Sequence, residues 1–507
     1  MREYTNNNTE VYWDLDNVEF YMVDNSQPYT INSINYSTNS TYPTANAVAQ
    51  SVNITKTKER LANASLVAEL YDANGELKAT STQPISNTDF ETNVATDIAL
   101  TTQITLPDDF AWDWKIVTYI WDSENEDVLS EMYESKYNID LQNLVSRQIF
   151  QRNANDIGKV KLQGVINADD VVTVEASAEK TEGTQKGSDV DWTPIAYDAL
   201  TNTFNATLDV PAGGWYTIKV RAKLAGGGIV EDATEKIGVG EVFIMSGQSN
   251  STNHGGESND ASIGFPLTKA KYDTISMLDV IDGEWALAKD PLYNPYTVTN
   301  AANDPVARKN ANNGTTPWPT FANELAEELD VPVGIVSVGI AATAIGAWAN
   351  ENHPAYQYVV SALQYFGVDG VRAILFHQGE ANILQKTSKE SYKSTMESAI
   401  QKIRTAAGWD VPWVIANVGF YPQSDGTPME ESLLYGPGIR EAQQEICAQD
   451  PDCYLGPDTD TLVGTIEGTD KFYRKNNGTD VHLSYDGVQI HGQMWTDSVM
   501  NYFFDEQ

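Results

Sequence analysis

The chain is short of sulfur, of imidazole and of positive charge. Only two of its 507 residues are cysteine and five are histidine, and 32 lysines and arginines stand against 71 aspartates and glutamates, a net charge of −39. Cys447 and Cys453, in EICAQDPDCYL, lie six positions apart across a turn. That spacing permits one disulfide in a secreted protein, but it is neither CxxC nor a metal-ligand pattern. The histidines are scattered, so a zinc site has no support and no metal or organic cofactor is expected. The shortage of cations argues against nucleic acid and anionic membranes as partners, because a phosphate backbone would be repelled. Neutral substrates, carbohydrates among them, remain compatible, and adaptation to a salty medium would produce the same acidity. No run is long and apolar enough to span a bilayer, so no membrane insertion is expected. The opening MREYTNNNTEVYWDL has no apolar signal-peptide core. The Asn-, Thr- and Tyr-rich residues around it read as an extracellular module, and the expected location is outside the cell or on its surface.

What is present is enough apolar sequence (41%) for more than one core. Up to about residue 240 its period is two. SLVAELYDANGELKAT places Asn74-Gly75 between two strand-like runs, a hairpin signal. Val172, Val174 and Ala176 alternate, as do Phe204, Ala206, Leu208 and Val210. Residues 1–142 and 143–238 are therefore expected to be two all-β sandwich modules, the first resembling immunoglobulin or fibronectin domains. Beyond residue 239 the pattern changes to short apolar runs (EVFIM, VPVGIVSV, VRAILF, VPWVIANV, CYLG) alternating with helical stretches such as TFANELAEEL and PAYQYVVSALQYF. This predicts a three-layer α/β domain over 239–507, with a parallel sheet covered on both faces. Between Ser249 and the helix at Phe321 no period is clear, and a long active-site loop is expected there.

Chemistry should then sit outside the carboxyl ends of the strands. Ser249, in GQSNS, follows EVFIM, as a nucleophile or an ordinary turn serine. A serine needs a base, and the choice is among His254, His353, His377, His482 and His491. His353 at a helix start and His491 inside a helix read as structural. His254 and His377 lie near the expected pocket. His482 precedes a last helix that Ser484 would cap, and it has Asp480 two residues upstream. Asp480 and Glu380 (in HQGEAN) are both candidates for the acid that fixes the histidine tautomer.

GQSNS after a buried strand, HQGEAN, and DVH near the C-terminus resemble the SGNH-hydrolase superfamily, and within it the sialate O-acetylesterases and carbohydrate acetyl esterases. The resemblance covers about residue 240 to the end. It implies a flavodoxin-like catalytic domain and a secreted serine esterase that takes O-acetyl groups from polysaccharide or sialic acid through an acetyl-enzyme. It makes Ser249 the nucleophile and His482 the base. The Ser249 N–H, a backbone N–H of Ala341 or Ala342, and the side chain of Gln378 (Asn382 second) would form the oxyanion hole. Asn250, His254, Thr343, Trp348, His377 and Asn382 are the substrate-binding candidates; Trp285 and Trp318 are further aromatics that could stack on sugar. Two departures stand out. Relatives typically have Gly-Gly-Thr where this chain has Ala341-Ala342-Thr343, and a positive φ at either alanine would be strained. Thr479 occupies the usual position of the acid, three before the histidine. These departures lend support to the alternative, a carbohydrate-binding or adhesion protein with a degenerate esterase domain, and the intact Ser249 and His482 argue against it.

Overall fold

A computed structural model describes residues 138–504 apart from 169–170, 226, 257–266 and 296–313. Before them it describes 3–5, 9–13, 20–24, 29–37, 48–56, 64–72, 74–85, 95–104, 114–124, 127–130 and 132–136. In that first region all described regular structure is β-strand. Ala64–Tyr71 and Leu77–Pro84 pair antiparallel around the Asn74-Gly75 turn, where Gly75 has φ 80°. Leu66 and Ile120 of their sheet pack with Val52 and Ile54 of the sheet formed by Tyr29–Ser37, Val48–Lys56 and Ala95–Ile104.

The second β region has two sheets around one core, in which Val160, Leu162 and Leu208 meet Val174, Ile218 and Val220. Strand Asn138–Leu141, on the first-module side of the boundary expected at 142/143, pairs here with Ile157–Asn167. The expected boundary at 238/239 falls inside a continuous strand, β1 (Ile229–Gly247). Its first half pairs antiparallel with Gly213–Leu224 of the β region, and its second half lies in the parallel sheet of the α/β region. Burial along β1 follows this division: residues alternate between exposed and covered up to Lys236, then every residue from Ile237 is buried. An antiparallel sheet can leave one face in water, whereas a parallel sheet is covered on both.

The α/β sheet continues through β2 (Ile275–Asp279), β3 (Glu284–Leu287), β4 (Val333–Ser337), β5 (Ala373–His377), β6 (Trp413–Asn417) and β7 (Cys453–Asp458). Its order is β3-β2-β4-β1-β5-β6-β7, parallel except for the β2–β3 hairpin. That hairpin lies in the stretch read as loop. The buried ISMLD of β2 is too short and too evenly apolar to show a period. Helices α1 (Trp318–Leu329), α2 (Pro354–Phe366), α3 (Glu380–Leu384), α4 (Lys389–Ala407), α5 (Glu430–Gln449) and α6 (Tyr485–Phe503) follow the strands. Phe243 and Met245 of β1 pack with α1 and α6 on one face; Val242 and Ile244 pack with α2, α4 and α5 on the other. Ser388 and Ser484 cap α4 and α6, their side chains accepting from Ser391 and Gly487 N–H. Cys447 and Cys453 are free thiols.

One buried carboxylate ties the β region to the α/β sheet. Glu241, fully buried in β1, takes Arg152 Nε at 2.6 Å, Arg372 Nε at 2.7 Å and Gln151 Nε2 at 3.0 Å. Arg152 comes from the β region, and Arg372 stands just before β5. Removing one member of a buried ion network leaves the others uncompensated, at a cost of about 3–5 kcal/mol. Glu241→Ala should therefore lower the thermal midpoint by several degrees, and a shift under about 1 °C would show that the network does not hold the two regions together.

Candidate active site

Sheet order makes β1 the switch point. The chain builds β2, β3 and β4 on one side of β1 and then crosses to β5 on the other, so a crevice opens outside its carboxyl end. Gly247 turns the chain there with φ 122°, and a Cβ at this position would strike the His377 carbonyl oxygen. Gln248 N–H donates to that oxygen at 2.8 Å, and Ser249 begins a short 3-10 turn over Ser249–Ser251. Ser249 is almost buried, and its backbone N–H has no protein partner among the described residues; the same is true of Ala341 and Ala342 after β4.

Asn250 binds three segments together. Its Nδ2 donates to Glu380 Oε1 at 2.8 Å and to the Val481 carbonyl at 3.2 Å, joining the serine turn to the loops carrying HQGE and DVH. In the last of these, His482 Nδ1 lies 3.0 Å from Asp480 Oδ1, which also accepts the His482 backbone N–H at 2.9 Å. Burial raises the Asp480 pKa, but the hydrogen bonds and charge of His482, with Lys475, outweigh it and bring it down to about 2. Thr479 donates its hydroxyl to Asn476 O and closes a turn. Asp480, and not Glu380, is the carboxylate in contact with His482.

Glu380 works beneath the site. It is buried, and Oε1 takes His377 Nε2 at 3.0 Å as well as Asn250. Burial pushes its pKa up; the His377 charge and hydrogen bond, its own N–H and Asn250 pull harder and hold it at about 2. Arg474 is the functional-region residue that sequence reasoning missed. Buried, it donates to the carbonyls of Leu462, Thr459 and Val481, and so holds the residue before His482. Burial lowers its pKa to about 10 against the raising charges of Glu380, Asp460 and Asp480. Nothing in KFYRKNNGTDVH distinguishes this arginine from a surface one.

Several expected substrate contacts are structural instead. Gln378 cannot donate to a substrate oxygen, because Asn382 Oδ1 (2.7 Å), Thr343 O (3.2 Å) and Gln248 Oε1 (3.4 Å) surround its two amide hydrogens. Asn382 donates to Thr387 Oγ1 and accepts from Ile345 N–H, and although nearly buried it borders the groove beside Thr343. Both Asn250 hydrogens are used as described. His377 is 1% exposed, with its ring edge against His491. Trp348 is fully buried and donates to Ser246 Oγ at 3.1 Å; Trp285 and Trp318 are core residues too. His353 caps α2, accepting from Ala355 N–H, and His491 accepts from Trp495 Nε1 at 2.9 Å. Of the substrate candidates only Thr343 and His254 remain partly open. Thr343 lines a polar groove of about 520 Å³ with Ala342, Asn350, His353, Gln385 and Ser391. A larger cavity, about 800 Å³, lies at the opposite end of the sheet, bordered by Arg152, Lys161, Tyr365 and Trp409.

A family model described as carbohydrate esterase, sialic acid-specific acetylesterase matches residues 239–455. A probable carbohydrate esterase of Arabidopsis thaliana is 27% identical over 176 residues, 32% of this chain. The chain spans 63% of that relative's length. Among solved structures, a carbohydrate acetylesterase from Xanthomonas citri is 18% identical with a TM-score of 0.46, over 73% of this chain and 76% of its own. An Arabidopsis thaliana protein is 20% identical with a TM-score of 0.38, over 52% and 98%.

Two predictions follow from this geometry. Ala342 has φ 57°, the left-handed conformation that costs a non-glycine residue about 1–2 kcal/mol. Ala342→Gly should therefore hold or raise the melting temperature, where glycine at an ordinary position lowers it; a drop of several degrees would contradict the strain. Glu380 has a pKa depressed from 4.5 to about 2, so its contribution is complete above pH 4.5 and lost as pH falls toward 2. Over that window the wild type should lose about 3 kcal/mol more stability than Glu380→Gln. Parallel acid limbs in urea unfolding would refute it.

Proposed function

We propose that this protein, whose residues 239–455 match the family model described as carbohydrate esterase, sialic acid-specific acetylesterase, removes O-acetyl groups from carbohydrate by a Ser-His-acid mechanism. The observation that carries the reading is the His482–Asp480 contact of 3.0 Å, on a loop that Asn250 ties to the serine turn. In this reading Asp480 holds His482 with Nδ1 protonated, leaving Nε2 to take the Ser249 Oγ proton. Oγ attacks the acetyl carbonyl carbon, and the negative charge that develops on the carbonyl oxygen meets the N–H of Ser249 and of Ala341 or Ala342. His482 returns the proton to the departing sugar oxygen. Water, deprotonated by His482, then attacks the acetyl-enzyme, and acetate leaves as Oγ regains its proton. With Gln378 occupied by protein acceptors, the oxyanion hole of this reading consists of backbone groups.

The proposal extends to the architecture. We read residues 239–507 as a three-layer, flavodoxin-like SGNH domain and the two preceding β regions as sandwich modules, with the protein acting outside the cell. The polar groove beside Thr343 suits an uncharged glycan, and the net charge of −39 does not oppose one. A carbohydrate-binding protein with a degenerate esterase domain is the second reading, favoured by the strained Ala342 and by the absence of a free donor at Gln378.

Acetate release from acetylated polysaccharides, acetylated sialic acids and p-nitrophenyl acetate separates the two. Ser249→Ala should fall to background, and Asp480→Asn should lose about 10²–10⁴-fold in kcat. Glu380→Gln should lose far less in kcat than Asp480→Asn. If the wild type releases no acetate from any of these esters, the binding reading replaces the enzymatic one.

A further inference from the structure

His254 stands against His482, yet the chemistry above gives it nothing to do. The two rings stack with centroids 5.4 Å apart and planes 26° from parallel. That is the range of favourable ring packing, and it steadies the face of His482 while Asp480 holds its Nδ1 edge. His254 is itself well anchored. Its backbone N–H donates to Thr252 O, and its carbonyl accepts from Lys475 Nζ at 3.3 Å. Its Nδ1 lies 2.8 Å from Thr252 Oγ1.

Thr252 indicates which nitrogen carries the proton. Its hydroxyl has a single hydrogen and sits 3.1 Å from the Ser249 carbonyl oxygen as well as beside His254. If that hydrogen goes to Ser249 O, Oγ1 is free to accept from His254 Nδ1–H, and both contacts are hydrogen bonds. The opposite tautomer makes only one of them. Nδ1 is therefore the protonated nitrogen, and Nε2 presents a lone pair. Among the described residues Nε2 has no protein partner, and it is not among the buried unpartnered atoms, so it is open to solvent in a half-buried ring. Burial first, then the charges of His482 and Lys475, hold the His254 pKa down to about 4, which keeps that lone pair free near neutrality.

We propose that His254 Nε2 accepts a hydrogen bond from a free hydroxyl on the carbon next to the acetylated one, so that the enzyme selects partially acetylated sugars over esters lacking such a hydroxyl. The inference rests on the esterase reading and deepens it. Stacked imidazoles whose Nε2 atoms have no protein partner among the described residues suit two oxygens on neighbouring carbons: His482 serves the ester oxygen and His254 the hydroxyl beside it. A half-buried acceptor left unpaired by a substrate without that hydroxyl is the basis for discrimination.

The test compares kcat/KM for three probes: a monoacetylated methyl xylopyranoside with its adjacent hydroxyl free, the analogue deoxygenated there, and the analogue fluorinated there. Fluorine can accept but not donate. The wild type should prefer the hydroxyl ester over both analogues by about tenfold or more. His254→Phe, which keeps a ring for the stack, should bring the preference to within about threefold, and His254→Gln, which keeps an acceptor, should retain part of it. The proposal is overturned if the wild type does not discriminate, if both variants discriminate as the wild type does, or if the fluorinated ester behaves like the hydroxyl ester. Turnover of p-nitrophenyl acetate without any of the three sugar esters overturns it while leaving the esterase reading intact. No turnover of any ester, p-nitrophenyl acetate included, means that the esterase reading itself has failed.

Discussion

Strand Ile229–Gly247 has to satisfy two surroundings along one extended backbone. Nineteen residues at about 3.3 Å each make it roughly 60 Å long, enough to pass from one core into another. Its first half alternates because one face of an antiparallel sheet meets water; its second half is buried on both sides by helices. Glu241 marks the change, a carboxylate placed where no water can reach it and made tolerable by two guanidinium groups. Because the same strand ends in Gly247 and the serine turn, the position of Ser249 is inherited from the registry of this strand with β4 and β5.

The floor under Ser249 is polar, which is unusual for the interior of a sheet domain. Gln248, Asn250, Gln378, Glu380, Asn382 and Arg474 are all nearly buried, and each finds protein partners. Such groups are expensive to bury singly and favourable as a linked set, because each satisfies a neighbour that would otherwise be orphaned. The set joins loops that come from far apart in the sequence. Asn250 joins residues 380 and 481 directly, and Arg474 grips three carbonyls around the histidine loop. A network of this kind restricts the loops to one arrangement, as the proposed serine, histidine and acid chemistry would require.

The same economy explains why side chains that look like ligand contacts on paper turn inward. An amide or imidazole at the end of a buried strand is close to the substrate along the chain, yet it is also close to the backbone groups freed where the strand stops. His377 and Gln378 answer that second demand. His377 meets Glu380, and Gln378 fills the gap between the loops after β1, β4 and β5. His254 escapes because its segment has left the sheet and lies over the crevice, against His482.

From the sequence alone came the β-to-α/β change near residue 240, the Asn74-Gly75 hairpin, the last helix capped by Ser484, and the short list of one serine with its candidate histidines and acids. These are local matters of period, turn chemistry and capping, which the chain expresses within a few residues. The strand β2, five buried residues without a period, was invisible for the same reason. Only the tertiary structure decided between Asp480 and Glu380, since both stand near a histidine in sequence, and the choice depends on which ring the fold delivers to which carboxylate. It alone brought in Arg474, turned Gln378, His377 and Trp348 inward, and set His254 on His482. Gln378 with Gln248 and Thr343, Trp348 with Ser246, and His254 with His482 are contacts between segments tens to hundreds of residues apart, which no window along the chain contains; Asp480 with His482 and Arg474 with Val481 are near in sequence, and there the fold decides which of several nearby partners is met.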